Sequence, residues 1–213
     1  MKKKLILIGA GAYGREVRDL ATEMEAVLGK DCPWRLAGFL DDRKHLPSLR
    51  LPILGDPATY VPQDDDVFVC AVGDPKDRLK YAALIRDRGG VFVTLVEPSA
   101  KVGGQTEIES GAIIGPFCVV SCDIRIGPDA VLAAHVTVGH DVQIGSGSFL
   151  GASTFLGGGS VVGEGVRIYP HASILPGVRI GDGAIVGAGS VVVRSVPAGQ
   201  TVFGVPALVV GKE

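Results

Sequence analysis

The sequence predicts two architectures in series: a small α/β unit on a parallel sheet, then a parallel β-helix. Three observations carry this. Apolar strand-like runs alternate with amphipathic stretches up to about residue 95, the order of a parallel sheet with helices on its faces. Beyond that point an aliphatic residue returns every six positions through seventeen consecutive hexads. Glycine supplies 31 of 213 residues while aromatics stay at 6%, a balance suited to many corners around a core too narrow for rings.

In the first unit, residues 1–94, Lys4–Ile8 reads as a strand. Arg15–Leu28 reads as a helix, with Val17, Leu20, Ala21 and Met24 at helical spacing. Strands at Arg35–Leu40 and Val67–Val72, a helix at Lys76–Arg88 and a strand at Val91–Val96 complete the alternation. Gly9-Ala10-Gly11-Ala12-Tyr13-Gly14 follows the first strand and opens the first helix. In that context a GxGxxG loop lets backbone N–H groups approach a ligand at a helix N-terminus. A nicotinamide cofactor is disfavoured: Asp41 and Asp42 lie well past the usual ~20-residue spacing, and about 95 residues are too few for both halves of a dinucleotide fold. The unit is therefore Rossmann-like but small.

In the second unit, residues 95–213, the hexad series runs from Val96 through Ile114, Leu132, Leu150, Ile168 and Val186 to Val192. Ten hexads carry Gly in the second place, among them Gly103, Gly139, Gly145 and Gly157, and the fifth place is small or apolar. Three hexads close a triangular coil, so residues 18 apart stack at roughly 4.8 Å. Seventeen hexads give between five and six coils. The second-place glycines are expected to supply the backbone angles of the corner.

Composition excludes several classes. A net charge of −2 with 46% hydrophobic residues fits neither disorder nor a nucleic-acid or anionic-membrane footprint. Cys32, Cys70, Cys118 and Cys122 form no CxxC pair, so free thiols are expected, without a disulfide or metal site. The apolar run after Met1-Lys2-Lys3-Lys4 stops at Gly9, too short for a signal core, and no stretch approaches a membrane span. A cytoplasmic protein is expected.

The combination of a Gly-rich loop in an N-terminal sheet, an uninterrupted hexad prism and Gly204-Val205-Pro206-Ala207 near the end resembles the sugar O-acyltransferase (sialic acid O-acetyltransferase) family of left-handed β-helix acyltransferases, which includes nucleotide-amino-sugar N-acetyltransferases. The resemblance covers essentially the whole chain and implies the left hand of the helix. It further implies acetyl-CoA as acyl donor, a nucleotide-sugar acceptor, and a homotrimer with its active site between adjacent prisms.

His140 stands in Val138-Gly139-His140-Asp141, which matches the family's catalytic base followed by an acidic residue. The chemistry calls for such a pair. An amine or hydroxyl must lose a proton as it attacks a thioester, a task suited to an imidazole titrating near pH 6.5, with a carboxylate to orient it. One coil above His140 stands Gly158, whose N–H is an oxyanion candidate. The resemblance assigns Pro170 and Ala188 to CoA, and Gly11, Ala12, Tyr13, Asp41, Asp42 and Gly73 to the nucleotide-sugar. Tyr13 stands where the bacillosamine and perosamine enzymes carry His, and Phe149 where some relatives carry a CoA-contacting His. His135 and His171, 36 residues apart on one edge, are separated by roughly 10 Å, too far to share a metal; His45 is assigned no role.

The expected activity is acetyl transfer from acetyl-CoA to an activated sugar by direct attack. The residues do not separate an amine acceptor from O-acetylation of sialic acid or another sugar. A non-catalytic trimeric scaffold is the alternative of another class, and the His140-Asp141 pair argues against it.

Overall fold

The structure, a computed structural model, describes residues 2–43, 46 and 49–210; His45 lies outside them. The chain divides into two compact units, Met1–Pro98 and Ser99–Glu213.

The first unit contains β1 (Lys3–Ile8), α1 (Ala12–Leu28), β2 (Trp34–Leu40), β3 (Ile53–Gly55), β4 (Asp66–Cys70), α2 (Pro75–Arg86) and β5 (Val91–Phe92). Its five strands are parallel in the order β3-β2-β1-β4-β5. Both central strands are apolar on both faces: Leu5 to Ile8 and Phe68 to Cys70 are each fully buried, as a two-sided parallel sheet requires. Ala82 and Ile85 of α2 close one cluster over Ile6, Ile8, Phe68 and Phe92. Asp74 caps α2, accepting from the N–H groups of Lys76 and Asp77 at 3.0 and 3.1 Å, with Pro75 at the first helical position.

Two expectations need correction here, and one strand was not foreseen. The helix expected from Arg15 begins at Ala12, because Gly14 belongs to the helix and packs onto the Gly9 carbonyl instead of extending the loop. β3 was not legible: at three residues it is too short to show a period. The expected strand Val91–Val96 is two strands, Val91–Phe92 and Leu95–Val96.

The second unit is a left-handed parallel β-helix. From Lys101–Val102 to Val191–Val192, two-residue strands repeat at every hexad, and each one as far as Ser173–Ile174 pairs in register with the strand 18 residues on. They form three sheets, one per prism face. Every first-place side chain from Ile114 to Val192 is at most 2% exposed. From Ala112 to Ser190 the fifth place is also buried, at most 6% exposed, and it holds mostly small residues, Ala, Ser, Thr, Val or Cys, with Ile124 the largest. After the last coil, Thr201–Gly204 pairs parallel with Ile185–Val186 and turns back antiparallel along Ala207–Val209. The Gly-Val-Pro-Ala segment is thus the turn of a hairpin.

The role expected of the second-place glycines is overturned. None of them has a positive φ; the left-handed residue is at the fourth place, where every residue from Gln105 to Gly189 has φ between 57° and 84°. Eight of these are not glycine, including Asp123, Asp141, His135 and even Phe117. The second-place glycines answer instead to closeness between coils. A Cβ on Gly145 would fall 2.5 Å from the Gly163 carbonyl, and one on Gly157 2.5 Å from the Pro176 nitrogen. At these glycines the backbone of the next coil leaves no room for a side chain.

Candidate active site

The prism places His140 on the corner between strands Thr137–Val138 and Gln143–Ile144. Asp141 follows at the left-handed fourth place, φ 58°, a conformation Asp tolerates better than most residues. That backbone turn swings the carboxylate alongside the ring, 2.6 Å from Oδ2 to His140 Nδ1. A carboxylate only accepts, so Nδ1 carries the hydrogen and the Nε2 lone pair stays free in the neutral imidazole. Both side chains are about two-thirds exposed, 66% and 67%, leaving Nε2 open to a ligand.

The coil ladder brings Gly158 to this nitrogen. Gly159 N–H donates to the His140 carbonyl at 2.8 Å, and a Cβ on Gly158 would fall 2.7 Å from Nε2. Gly158 accepts through its carbonyl from Gly177, while its own N–H has no partner among the described residues. A free base nitrogen and a free backbone donor therefore share one corner. Cys122 lies one coil below, its carbonyl accepting from Asp141 N–H. The hydrogen bond with the neighbouring Asp123 carboxylate pushes this exposed thiol's pKa up, which favours the protonated, non-nucleophilic form.

Pro170 and Ala188 are not brought to His140 within one prism. They stack one coil apart on the edge that follows strands Arg167–Ile168 and Ile185–Val186, a different edge from that of His140 and Gly158. The same edge carries a contact that sequence reasoning missed: the Phe117 ring stacks on His135, centroids 5.0 Å apart. Residues 18 apart on a corner were the available signal.

In the first unit, a cavity of about 410 Å³ opens at the carboxyl ends of β1, β2 and β4. The strand order reverses direction at β1 and β4, and such a switch point is where parallel sheets leave a crevice. Gly11, Ala12, Tyr13, Asp41, Asp42 and Gly73 all line it. The three loop glycines divide the work. Gly9 has φ +98° and would clash with Val72 if it carried a Cβ; Gly14 packs on the loop's own backbone; Gly11 faces open space, with only Arg43 Nη2 at 3.8 Å.

Asp41 lines the cavity with a carboxylate already engaged by protein donors. It is 8% exposed and accepts four protein hydrogen bonds. Oδ2 takes Ala10 N–H at 2.7 Å and Arg43 Nη2 at 2.9 Å; Oδ1 takes Arg43 N–H at 3.0 Å and Nε at 2.7 Å. Burial works to raise its pKa, but the bonds from Arg43 and Ala10 outweigh it and hold the carboxyl below the usual range. Burial pushes the Tyr13 phenol well up, so it remains neutral. Arg43, Pro57 and Tyr81 also line the cavity and were not singled out from the sequence. Buried Arg78 supports it from behind, donating from Nη1 to the Val72 carbonyl at 2.7 Å. Among the described residues no helix is long and apolar enough to cross a membrane, and no cluster of three metal-ligating side chains occurs.

Residues 4–85 match the family model described as the PglD N-terminal domain. Residues 123–158 and 159–194 match that of the bacterial transferase hexapeptide (six repeats). Over 202 residues the chain is 32% identical to GDP-perosamine N-acetyltransferase of Escherichia coli O157:H7, covering 93% of this chain and 81% of that one. Among solved structures, PerB from Caulobacter crescentus in complex with CoA and GDP-perosamine aligns at TM-score 0.86 and 30% identity, over 98% of this chain and 97% of that one. The acetyltransferase domain of PglB from Neisseria gonorrhoeae FA1090, in complex with acetyl coenzyme A, aligns at TM-score 0.60 and 25% identity, over 99% and 100%. The chain belongs to the bacterial hexapeptide-repeat transferases that carry a PglD-type N-terminal domain, the family of GDP-perosamine N-acetyltransferase.

Proposed function

We propose that this protein transfers an acetyl group from acetyl-CoA to the amino group of a nucleotide-activated amino sugar, of the kind GDP-perosamine represents. The observation that carries the reading is the His140–Asp141 pair, with Nε2 free beside the unpaired Gly158 N–H. The names of the relatives support the donor and acceptor classes.

Acetyl-CoA supplies the activated acetyl group. The corner fits it: a side chain at Gly158 would close the space beside Nε2, and no acceptor among the described residues takes the Gly158 N–H. His140 Nε2 takes a proton from the acceptor amine as its nitrogen bonds to the thioester carbonyl carbon. Asp141 holds the tautomer and stabilises the imidazolium that forms. Gly158 N–H donates to the oxygen that gains charge. As the carbon–sulfur bond breaks, His140 returns the proton to the departing sulfur. The protonated Cys122 is a poor nucleophile, so direct transfer in a ternary complex is favoured over an acyl-cysteine.

The active assembly is a homotrimer in this reading. Pro170 and Ala188 stand on another edge than His140, so a pantetheine arm touching both sets is bound by two copies. The test is turnover of acetyl-CoA with GDP-4-amino and UDP-4-amino sugars, for wild type and H140A. Loss of about 10²–10⁴-fold in kcat is expected for H140A; wild-type rates in that variant sink the assignment.

A further inference from the structure

The cavity of the N-terminal unit is lined by an ion pair, Asp41 with Arg43. Arg43 is the one cationic side chain among the described residues that line it. Its guanidinium is fixed in plane by Asp41, through Nε at 2.7 Å and Nη2 at 2.9 Å. The buried carboxylate is in turn tied to the Gly-rich loop through Ala10 N–H. Asp41 therefore has no lone pair directed at a ligand that a protein donor does not already occupy. Arg43 is different: its side chain is 53% exposed, and neither hydrogen of Nη1 is used by the Asp41 pair. Nη2 lies 3.8 Å from the Cβ position of Gly11, the open glycine that precedes α1. A planar cation with its outer edge free of partners among the described residues, beside backbone that can be approached closely, is built for an oxyanion.

We propose that Arg43 binds the diphosphate of the nucleotide-sugar and that Asp41 is the positioning residue that aims it. The proposal rests on the nucleotide-sugar reading above and deepens it. Asp41 gives the loop and the guanidinium a common anchor, so the phosphate-facing edge is set before a ligand arrives. Asp42, which is exposed and near enough to Arg43 to add to the attraction on its guanidinium, remains the acceptor for ligand hydroxyl or base N–H groups.

The test is calorimetric titration of the full chain with GDP and with UDP, which share the diphosphate and differ in the base. R43Q, R43K, D41N and the D41N/R43Q double variant are compared with wild type. In R43Q both nucleotides are expected to weaken by the same factor, about ten- to a hundredfold, as for loss of a charge-assisted hydrogen bond. D41N weakens both in parallel, and the double variant is no worse than R43Q, the signature of one residue acting through the other. If R43Q fails to fold, R43K serves: it keeps the charge but loses the two-point hold, and both nucleotides weaken together by severalfold. Weakening that depends on the base, unchanged affinity in the variants, or no nucleotide binding by wild type overturns the proposal. Arg43-dependent binding without any acetylation leaves this assignment standing and sinks the acetyltransferase reading. Acetylation of a nucleotide-sugar with an unchanged KM in R43Q does the reverse.

Discussion

Gly158→Ala separates the position of the base from every other contribution to catalysis. The added Cβ falls 2.7 Å from His140 Nε2 and 2.8 Å from Cε1. Carbon and nitrogen in contact rest at about 3.5–4.0 Å, so the ring must retreat by about 1 Å. It can do so cheaply, because its side chain is 66% exposed; the change in stability is expected within about 0.5 kcal/mol. The backbone raises no objection, since Gly158 is not among the residues with positive φ. Alanine also keeps the N–H, so the oxyanion donor survives. What is lost is the alignment of Nε2 with the acceptor proton and the 2.6 Å hold of Asp141. A displacement of 1 Å costs about a hundredfold in rate. The assay is steady-state turnover of G158A, with thermal unfolding as control and H140A/G158A as companion. A hundredfold fall in kcat is expected with an unchanged melting temperature, and no further fall when the variant is combined with H140A. A kcat within twofold of wild type refutes the reasoning, as does a full additional hundredfold loss on the H140A background.

Other outcomes follow from the same geometry. The second and fourth hexad places predict stability changes of opposite sign. Gly145→Ala forces a Cβ to 2.5 Å from the Gly163 carbonyl and costs about 2–3 kcal/mol. Ser153→Gly relieves a left-handed residue at φ 59° and gains up to about 1 kcal/mol; chemical denaturation measures both. The depressed pKa of Asp41 means its ion pair contributes stability that is complete above the unfolded value near 3.9 and lost as pH falls through the lower folded one. D41N should therefore be less stable than wild type at pH 7, with the gap closing below about pH 4, as followed by circular dichroism. Sedimentation equilibrium should show a trimer, and a fully active monomer would remove the need for two edges at the CoA site. D141N should lower kcat through the wrong tautomer while leaving the KM for acetyl-CoA near wild type, and a matching rise in KM would point to binding instead.

Much of the prism was legible because its cause is local and repeated. A six-residue period fixes which side chains point inward, and three periods bring residue i beneath residue i + 18, so His140 and Gly158 could be stacked on paper. The same arithmetic assigned the second-place glycines to the wrong task. Backbone angles and crowding both demand glycine, and a sequence shows the residue without the reason. Only the coordinates reveal that the left-handed angle sits two places later, where Asp141 uses it to reach His140.

The N-terminal site divides differently. The Gly-rich loop, Asp41–Asp42 and Gly73 were recognisable as separate motifs, each attached to the end of an apolar run. That they line one cavity was settled by the strand order β3-β2-β1-β4-β5, a matter of non-local pairing that no local pattern encodes. Pairing between Asp41 and Arg43 lay beyond the sequence for a related reason. Two charges two residues apart can pair with each other, with solvent or with a ligand, and burial decides among them. Sequence alone therefore determined the repeat and the core, which follow from periodicity, while the catalytic candidates came from the resemblance to a known family together with the chemistry of a His–carboxylate pair. Tertiary structure alone decided which groups remain free to meet a ligand, because hydrogen bonds across the chain had already taken Asp41 and left His140 Nε2, Gly158 N–H and the edge of Arg43 open.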